Sequence, residues 1–393
     1  MSLKTTRILL ILSLATNLAI VLFFSRRIYY RAKYSKGIVT FEQKDTKESL
    51  DDLKYTNGLT FKVTGKYHNE PGYNRLPKKF ENIVRPELWD ISKNSSGIGI
   101  RFRTNSPTIA AKWTLINNSY YAVMNKISNG GVDLYCRVND KWQYVSSGMP
   151  TGFTNQVLLI TDMDTTYKEF LLNLPIADGI DYMKIGIRDK YSITPPHVNT
   201  NKINKPIVFY GTSITQGGAI TRPGMIYPSI VSRNLDAEVI NLGFKGNGRY
   251  EQSVGQALCE IDASMYVIDC IANSTPDTIR NNAPKLIEQL RKEKPTVPVL
   301  LVEGYVREYA WFKNTDESTP GGIRYLRAQN KELKQVYENA LKAGFTNIYY
   351  MSGDSLIGTD HEGTADGTHP SDVGASRIAE QMEVKIKEIL KLK

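Results

Sequence analysis

The sequence predicts a three-layer α/β/α domain built on a parallel sheet, preceded by an antiparallel β-sandwich of jelly-roll type and by an N-terminal membrane helix. Three observations predict it. Apolar runs separated by helical patterns recur beyond residue 203, strands of alternating apolar and polar residues fill positions 61–200, and a nearly unbroken apolar segment opens the chain. At 393 residues, 41% of them hydrophobic, with 29 Gly and 17 Pro, the chain has material for more than one core and none of the composition of a disordered protein.

The opening segment, Ile8 to Phe24, is interrupted only by Ser13, Thr16 and Asn17. As a helix it would reach roughly 26 Å, near the lower limit for crossing a bilayer. No small-x-small cleavage site follows it and no cysteine is at hand for lipidation, so residues 1–36 are expected to form a membrane anchor or an uncleaved signal. Lys4 and Arg7 precede the segment, and the denser Arg26, Arg27, Arg31, Lys33 and Lys36 follow it, which by the positive-inside rule argues for a cytoplasmic body. Residues 37–60 are polar and charged and read as a linker.

From about residue 61 the period changes to two. Ile98, Ile100 and Phe102 alternate with small or charged residues, as do Ile109, Ala111, Trp113 and Leu115, then Val132, Leu134, Cys136 and Val138, then Phe170, Leu172 and Leu174, then Met183, Ile185 and Ile187. These are half-buried strands, and turns such as Ser128-Asn129-Gly130-Gly131 separate them, so residues 61–200 are expected to form the sandwich, as a brace or as a binder of carbohydrate.

Residues 203–393 make the α/β domain. Strands are expected at Pro206–Tyr210, Glu238–Leu242, Met265–Asp269, Val297–Val302 and Thr346–Tyr350, with a last helix from Asp372 onward. The first strand stops at Gly211-Thr212-Ser213, a small polar turn bounded by glycine, and near the far end Asp366-Gly367-Thr368-His369 sets an acid and an imidazole three residues apart. A hydroxyl, an imidazole to take its proton and a carboxylate to fix the imidazole are what nucleophilic acyl chemistry needs. Ser213 follows the first strand, Gly246 the second, Asn273 the third and the Asp366/His369 pair the fifth; in a parallel sheet these ends open on one edge. Gly246 as a plain turn glycine, Asn273 as a helix cap and Ser213 as the cap of the next helix are the structural alternatives.

Gly211-Thr212-Ser213-Ile214-Thr215, Asn241 to Gly248, Asp269-Cys270-Ile271-Ala272-Asn273 and Asp366-Gly367-Thr368-His369-Pro370 resemble, in order, the four sequence blocks of the SGNH (GDSL-like) hydrolases. Arg75-Leu76-Pro77, Ile100 to Ser106 and Gly131-Val132-Asp133-Leu134-Tyr135 also resemble the β-domain that precedes some members. The resemblance implies a flavodoxin-like hydrolase domain, with Ser213 as nucleophile, His369 as base, Asp366 as its partner, and an oxyanion hole from the Ser213 and Gly246 amides and the Asn273 side chain. It also implies export, and hence a membrane-anchored body that is periplasmic or extracellular. Thr212 departs from the family's Asp and leaves the nucleophile in place. The last glycine of the α/β-hydrolase Gly-x-Ser-x-Gly is absent, Thr215 standing there.

No cofactor and no metal are expected. Asp360-His361-Glu362 lacks the further His or Cys ligands a metal needs, Gly243 to Gly248 has neither phosphate-loop nor dinucleotide spacing, and Cys136, Cys259 and Cys270 are too scattered for a disulfide framework. The net charge of +10 comes with no nucleic-acid motif, so the expected partners are an acylated, carbohydrate-type substrate and, through the N-terminal helix, the membrane. The function expected is hydrolysis of a small acyl ester, acetyl above others, on such a substrate. Alternatives are a lipid ester hydrolase acting at the membrane, and a catalytically silent carbohydrate-binding protein.

Overall fold

A computed structural model describes residues 49–196, 203–313 and 316–392. The sandwich is built from β1 (Leu53–Asn57), β2 (Lys62–Thr64), β3 (Gly99–Thr104), β4 (Ile109–Leu115), β5 (Val132–Val138), β6 (Lys141–Gly148), β7 (Thr154–Ile160), β8 (Lys168–Asn173), β9 (Ile180–Arg188) and β10 (Ile193–Thr194). One sheet runs β1-β9-β4-β7 and the other β10-β3-β8-β5-β6, with β2 beside β3, and all pairings are antiparallel. Alternation sends Ile100, Phe102, Leu134 and Phe170 of one sheet against Ala111, Trp113, Met183 and Ile185 of the other, and all are buried. The Phe102 and Phe170 rings stack at 5.5 Å, and Trp113 Nε1 donates to the Gly130 carbonyl at 2.9 Å, so the indole is buried without an orphaned donor. Leu53–Asn57, inside the stretch expected to be linker, is the edge strand β1, because Leu53 buries its side chain at the start of a segment paired with β9.

The second half carries β11 (Ile203–Gly211), β12 (Ala237–Gly243), β13 (Met265–Asp269), β14 (Val299–Val302) and β15 (Ile348–Met351) in the order β12-β11-β13-β14-β15, all parallel. This is the doubly wound order whose reversal of direction at the first strand opens a crevice at the strands' carboxyl ends. Val208 and Tyr210 turn to a core shared with helices Gln252–Glu260, Pro276–Glu293 and Ile323–Lys342. Ile207 and Phe209 turn to a core shared with Tyr227–Leu235 and Asp372–Leu390. Leu76, Phe80, Val84, Leu88 and Trp89, which precede the sandwich's central strands, belong to the first of these cores, and residues 50–393 form one compact unit.

The expectation of an N-terminal membrane helix, and with it a membrane-anchored location, is corrected here. Among the described residues no helix is long and apolar enough to cross a membrane, and Ile8–Phe24 and the first part of the linker lie outside those residues. The fold is a mixed α/β structure with a parallel sheet and no membrane-spanning helix among its described elements.

Candidate active site

β11 ends at Gly211, where an added Cβ would lie 2.0 Å from Thr215 Oγ1 and 2.7 Å from the Asp269 carbonyl, so only glycine lets the chain turn there. Thr212 caps a single helical turn, Ser213–Gln216, which Gly217 closes in the left-handed region at φ +107°. Ser213 stands half-buried at the start of that turn, and Ser213 Oγ lies 2.9 Å from His369 Nε2.

The imidazole is held from its other side. His369 Nδ1 lies 2.8 Å from Asp366 Oδ2, while Asp366 Oδ1 accepts the His369 and Thr368 amides at 2.7 and 2.9 Å. Burial pushes the Asp366 carboxyl up, but the His369 amide and imidazole and the Thr368 amide outweigh it and hold it below its ordinary 3.8. An ionised Asp366 accepts a hydrogen bond from Nδ1–H, which leaves Nε2 as the acceptor facing the Ser213 hydroxyl. Tyr305 Oη donates to the Thr368 carbonyl at 2.6 Å and the Glu308 amide to that of Gly367 at 3.1 Å, so the loop after β14 fixes the turn that carries the pair.

The register Gly211↔Gly243 and Gly211↔Asp269 brings the ends of the first three strands to one level. The loop after β12 folds back on β11, its Phe244 amide donating to the Gly211 carbonyl at 2.9 Å. Gly246 sits in that loop at φ +71° with open space where a side chain would stand. Asn273 ends the short 3-10 turn Ile271–Asn273 after β13, and its Oδ1 is buried with no hydrogen-bond partner among the described residues. It does not cap the following helix, because Thr275 does, accepting the Thr278 amide at 3.1 Å. Ser213, His369 and Asp366 are thus joined by hydrogen bonds, and Gly246 and Asn273 leave the sheet from the same edge.

Other groups complete the edge. Gln216 Oε1 accepts the Lys245 amide at 2.9 Å, and Arg307 Nη2 donates to the Ala272 carbonyl at 3.0 Å, next to Asn273. Arg75 is buried, donates to the carbonyls of Asn94, Ile91 and Gly243, and lies 4.8 Å over the Phe244 ring, gripping the base of the Gly246 loop. Burial draws its pKa down to about 9, which leaves it charged at neutral pH. Asp269 is buried against the Ser213–Gln216 turn, accepting Tyr227 Oη at 2.9 Å and Thr215 Oγ1 at 3.1 Å, and burial raises its carboxyl to about 6. Asp360, His361 and Glu362 do not converge: Asp360 pairs with Arg377 at 2.7 Å and His361 Nδ1 lies 2.8 Å from Glu308. Among the described residues no three metal-capable side chains gather.

Beside the Asp366–His369 turn, Tyr305, Tyr309, Trp311, Phe312 and Ile357 line a cleft of about 920 Å³, whose polar members include Glu308, Arg327, Asp354 and His361. A smaller cavity of about 20 Å³ lies in the interior behind this edge, lined by Ile214, Asp269, Val302, Leu356, Ile378 and Met382 among others and by none of Ser213, Gly246, Asn273 or His369.

Residues 204–387 match the GDSL-like lipase/acylhydrolase family, and residues 53–193 match the N-terminus of SGNH-hydrolase-type esterases. Among solved structures, a protein described as a GDSL-like lipase from Bacteroides ovatus ATCC 8483 is 33% identical and superposes with a TM-score of 0.81 over 87% of this chain and 99% of its own. A salicylyl-acyltransferase from a tetracycline biosynthetic pathway, 14% identical, superposes at 0.70 over 87% of this chain and 99% of its own. A family two carbohydrate esterase from Clostridium thermocellum, solved with cellohexaose, is 14% identical and superposes at 0.51 over 76% of this chain and 94% of its own. The last two show the fold alone. No curated protein matches the chain.

Proposed function

The chain belongs to the GDSL-like lipase/acylhydrolase family and is an ester hydrolase, and from that premise we propose that it removes a small acyl group, acetyl above others, from a carbohydrate-type alcohol through Ser213, His369 and Asp366. The observation that carries this reading is the unbroken line of hydrogen bonds from Ser213 Oγ to His369 Nε2 at 2.9 Å and from His369 Nδ1 to Asp366 at 2.8 Å. In it, Ser213 Oγ attacks the ester carbonyl while His369 takes its proton. The charge on the carbonyl oxygen meets the amides of Ser213 and Gly246 and the Asn273 side chain, and His369 returns the proton to the departing alcohol. Water, deprotonated by the same imidazole, then breaks the acyl-serine bond, restoring Ser213 and releasing the carboxylic acid.

One feature supports a hydroxylated alcohol rather than a fatty chain. In the wide cleft, Trp311 and Phe312 are 51% and 91% exposed, which gives flat apolar surface, while Glu308, Asp354 and Arg327 supply acceptors and donors that a fatty chain would leave unpaired. The size and aromatic lining of that cleft favour a second reading, a lipid ester hydrolase whose acyl chain lies there. A series of esters from acetyl to octanoyl separates the two. We expect kcat/KM to fall along the series, whereas a rise of about 15-fold per two carbons, following about 0.8 kcal/mol per buried methylene, would establish the lipid reading instead.

A further inference from the structure

We propose that the β-sandwich positions the His369 imidazole, acting through an ion pair between the buried Asp133 and Arg222 that anchors the strap of chain running from Gly217 to Met225. The proposal rests on the serine-esterase reading above. Asp133, on β5, is fully buried. Its Oδ2 accepts Arg222 Nη1 at 2.9 Å and the Gly224 amide at 2.8 Å, and its Oδ1 accepts Asn173 Nδ2 at 2.8 Å. Arg222 donates as well to Tyr135 Oη and lies 4.0 Å from the centre of the Tyr144 ring. One end of the strap is therefore locked to the sandwich by charge-assisted bonds to a carboxylate that is out of contact with water.

The other end touches the chemistry. The amides of Gly217 and Gly218 donate to the Ser213 carbonyl at 2.9 and 2.8 Å. Gly218 lies so close to the imidazole that an added Cβ would stand 2.8 Å from His369 Cδ2 and 3.3 Å from Nε2. Ala219 then takes a left-handed conformation, φ +64°, which a side-chain-bearing residue holds only where its surroundings impose it. Midway, the Thr221 amide and hydroxyl donate to Asp372, the first residue of the C-terminal helix and three positions beyond His369, while Asn125 Nδ2 from the sandwich donates to the Thr221 carbonyl at 2.9 Å. The strap thus ties together the nucleophile's turn, the imidazole, the helix that follows it and the sandwich side chains Asp133, Tyr135, Tyr144 and Asn125. Asp133 and Arg222 are positioning residues, acting on the ring through the backbone between Gly218 and Gly224. The Asp and Tyr of Gly131-Val132-Asp133-Leu134-Tyr135 acquire a role by this account, as the socket for Arg222.

The test is Asp133→Asn, followed by covalent labelling of Ser213 with a fluorophosphonate, in which the rate constant and the number of labelled sites are read separately. We expect a rate constant and a kcat for a small acetyl ester both lower by about 10- to 100-fold, as for a reacting group displaced by a fraction of an ångström, with KM and the number of labelled sites unchanged. Arg222→Lys, at a side chain that is 19% exposed, gives the same readout should Asp133→Asn not fold, because ammonium cannot reproduce the paired contacts of guanidinium. A loss confined to the number of labelled sites, or a rate constant equal to wild type, overturns the proposal and leaves the esterase reading standing. Wild-type protein that takes no label overturns the esterase reading and this inference with it.

Discussion

At the scale of single residues the site depends on close approaches that a methyl group would spoil. Gly218→Ala should displace the His369 ring, since its Cβ would fall 2.8 Å from Cδ2; a kcat lower by about 10²-fold with an unchanged melting temperature is the expected outcome. Asp366→Asn should cost on the order of 10⁴ in kcat, because an amide does not hold the imidazole in the tautomer that faces Ser213. Asp269 gives a prediction about stability. Its carboxyl is raised by burial from 3.8 to about 6, so the folded state binds the proton more tightly than the unfolded chain does. The stabilisation is fully present below about pH 4 and is lost as pH rises through 6. Asp269→Asn should therefore gain in melting temperature relative to wild type as pH is raised from 4 to 7, and a constant difference between the two would show that the carboxyl is not raised. Residue by residue, the sequence was legible where chemistry and backbone coincide, as at the glycine-bounded Ser213 and the Asp366–His369 turn. Arg75 stood out only within Arg75-Leu76-Pro77, and neither its bond to the Gly243 carbonyl nor that of Arg222 to Asp133 was legible, since contacts between residues 168 and 89 positions apart leave no local pattern.

At the scale of elements, the strands with strict alternation, β3, β4, β5, β8 and β9, could be read from the sequence, as could the five parallel strands, because each carries apolar residues that the fold buries. β6 and β7 could not: Lys141–Gly148 and Thr154–Ile160 leave most positions half-buried or exposed, so no apolar period of two survives. β1 hid in a charged stretch because its burial is confined to Leu53. The turn between β13 and the helix Pro276–Glu293 separates a structural role from a chemical one. Thr275→Ala, which removes the helix cap, should lower stability by about 1 kcal/mol and leave kcat unchanged. Asn273→Ala should do the reverse, lowering kcat by about 10²- to 10³-fold with stability intact, as for loss of one oxyanion donor. Equal effects of the two on melting temperature would make Asn273 a structural residue.

At the scale of the molecule, the two halves share a core. Leu76, Phe80, Val84, Leu88 and Trp89 cover the same face of the parallel sheet as the helices that follow it, which composition could not foretell because each half alone carries enough apolar residues for its own interior. A fragment of residues 203–393 should accordingly be insoluble or bind hydrophobic dyes, whereas the chain from residue 50 onward should unfold in a single transition; two separate transitions would show that the halves are independent. Covalent trapping with a fluorophosphonate, read by mass spectrometry of the intact protein and its peptides, tests whether Ser213 is a nucleophile activated by His369 and Asp366. One adduct per chain is expected, on Ser213, absent in Ser213→Ala and slowed by at least about 10³-fold in His369→Ala. A folded wild-type protein that forms no adduct, or that carries it on another residue, would show that Ser213 is not the nucleophile.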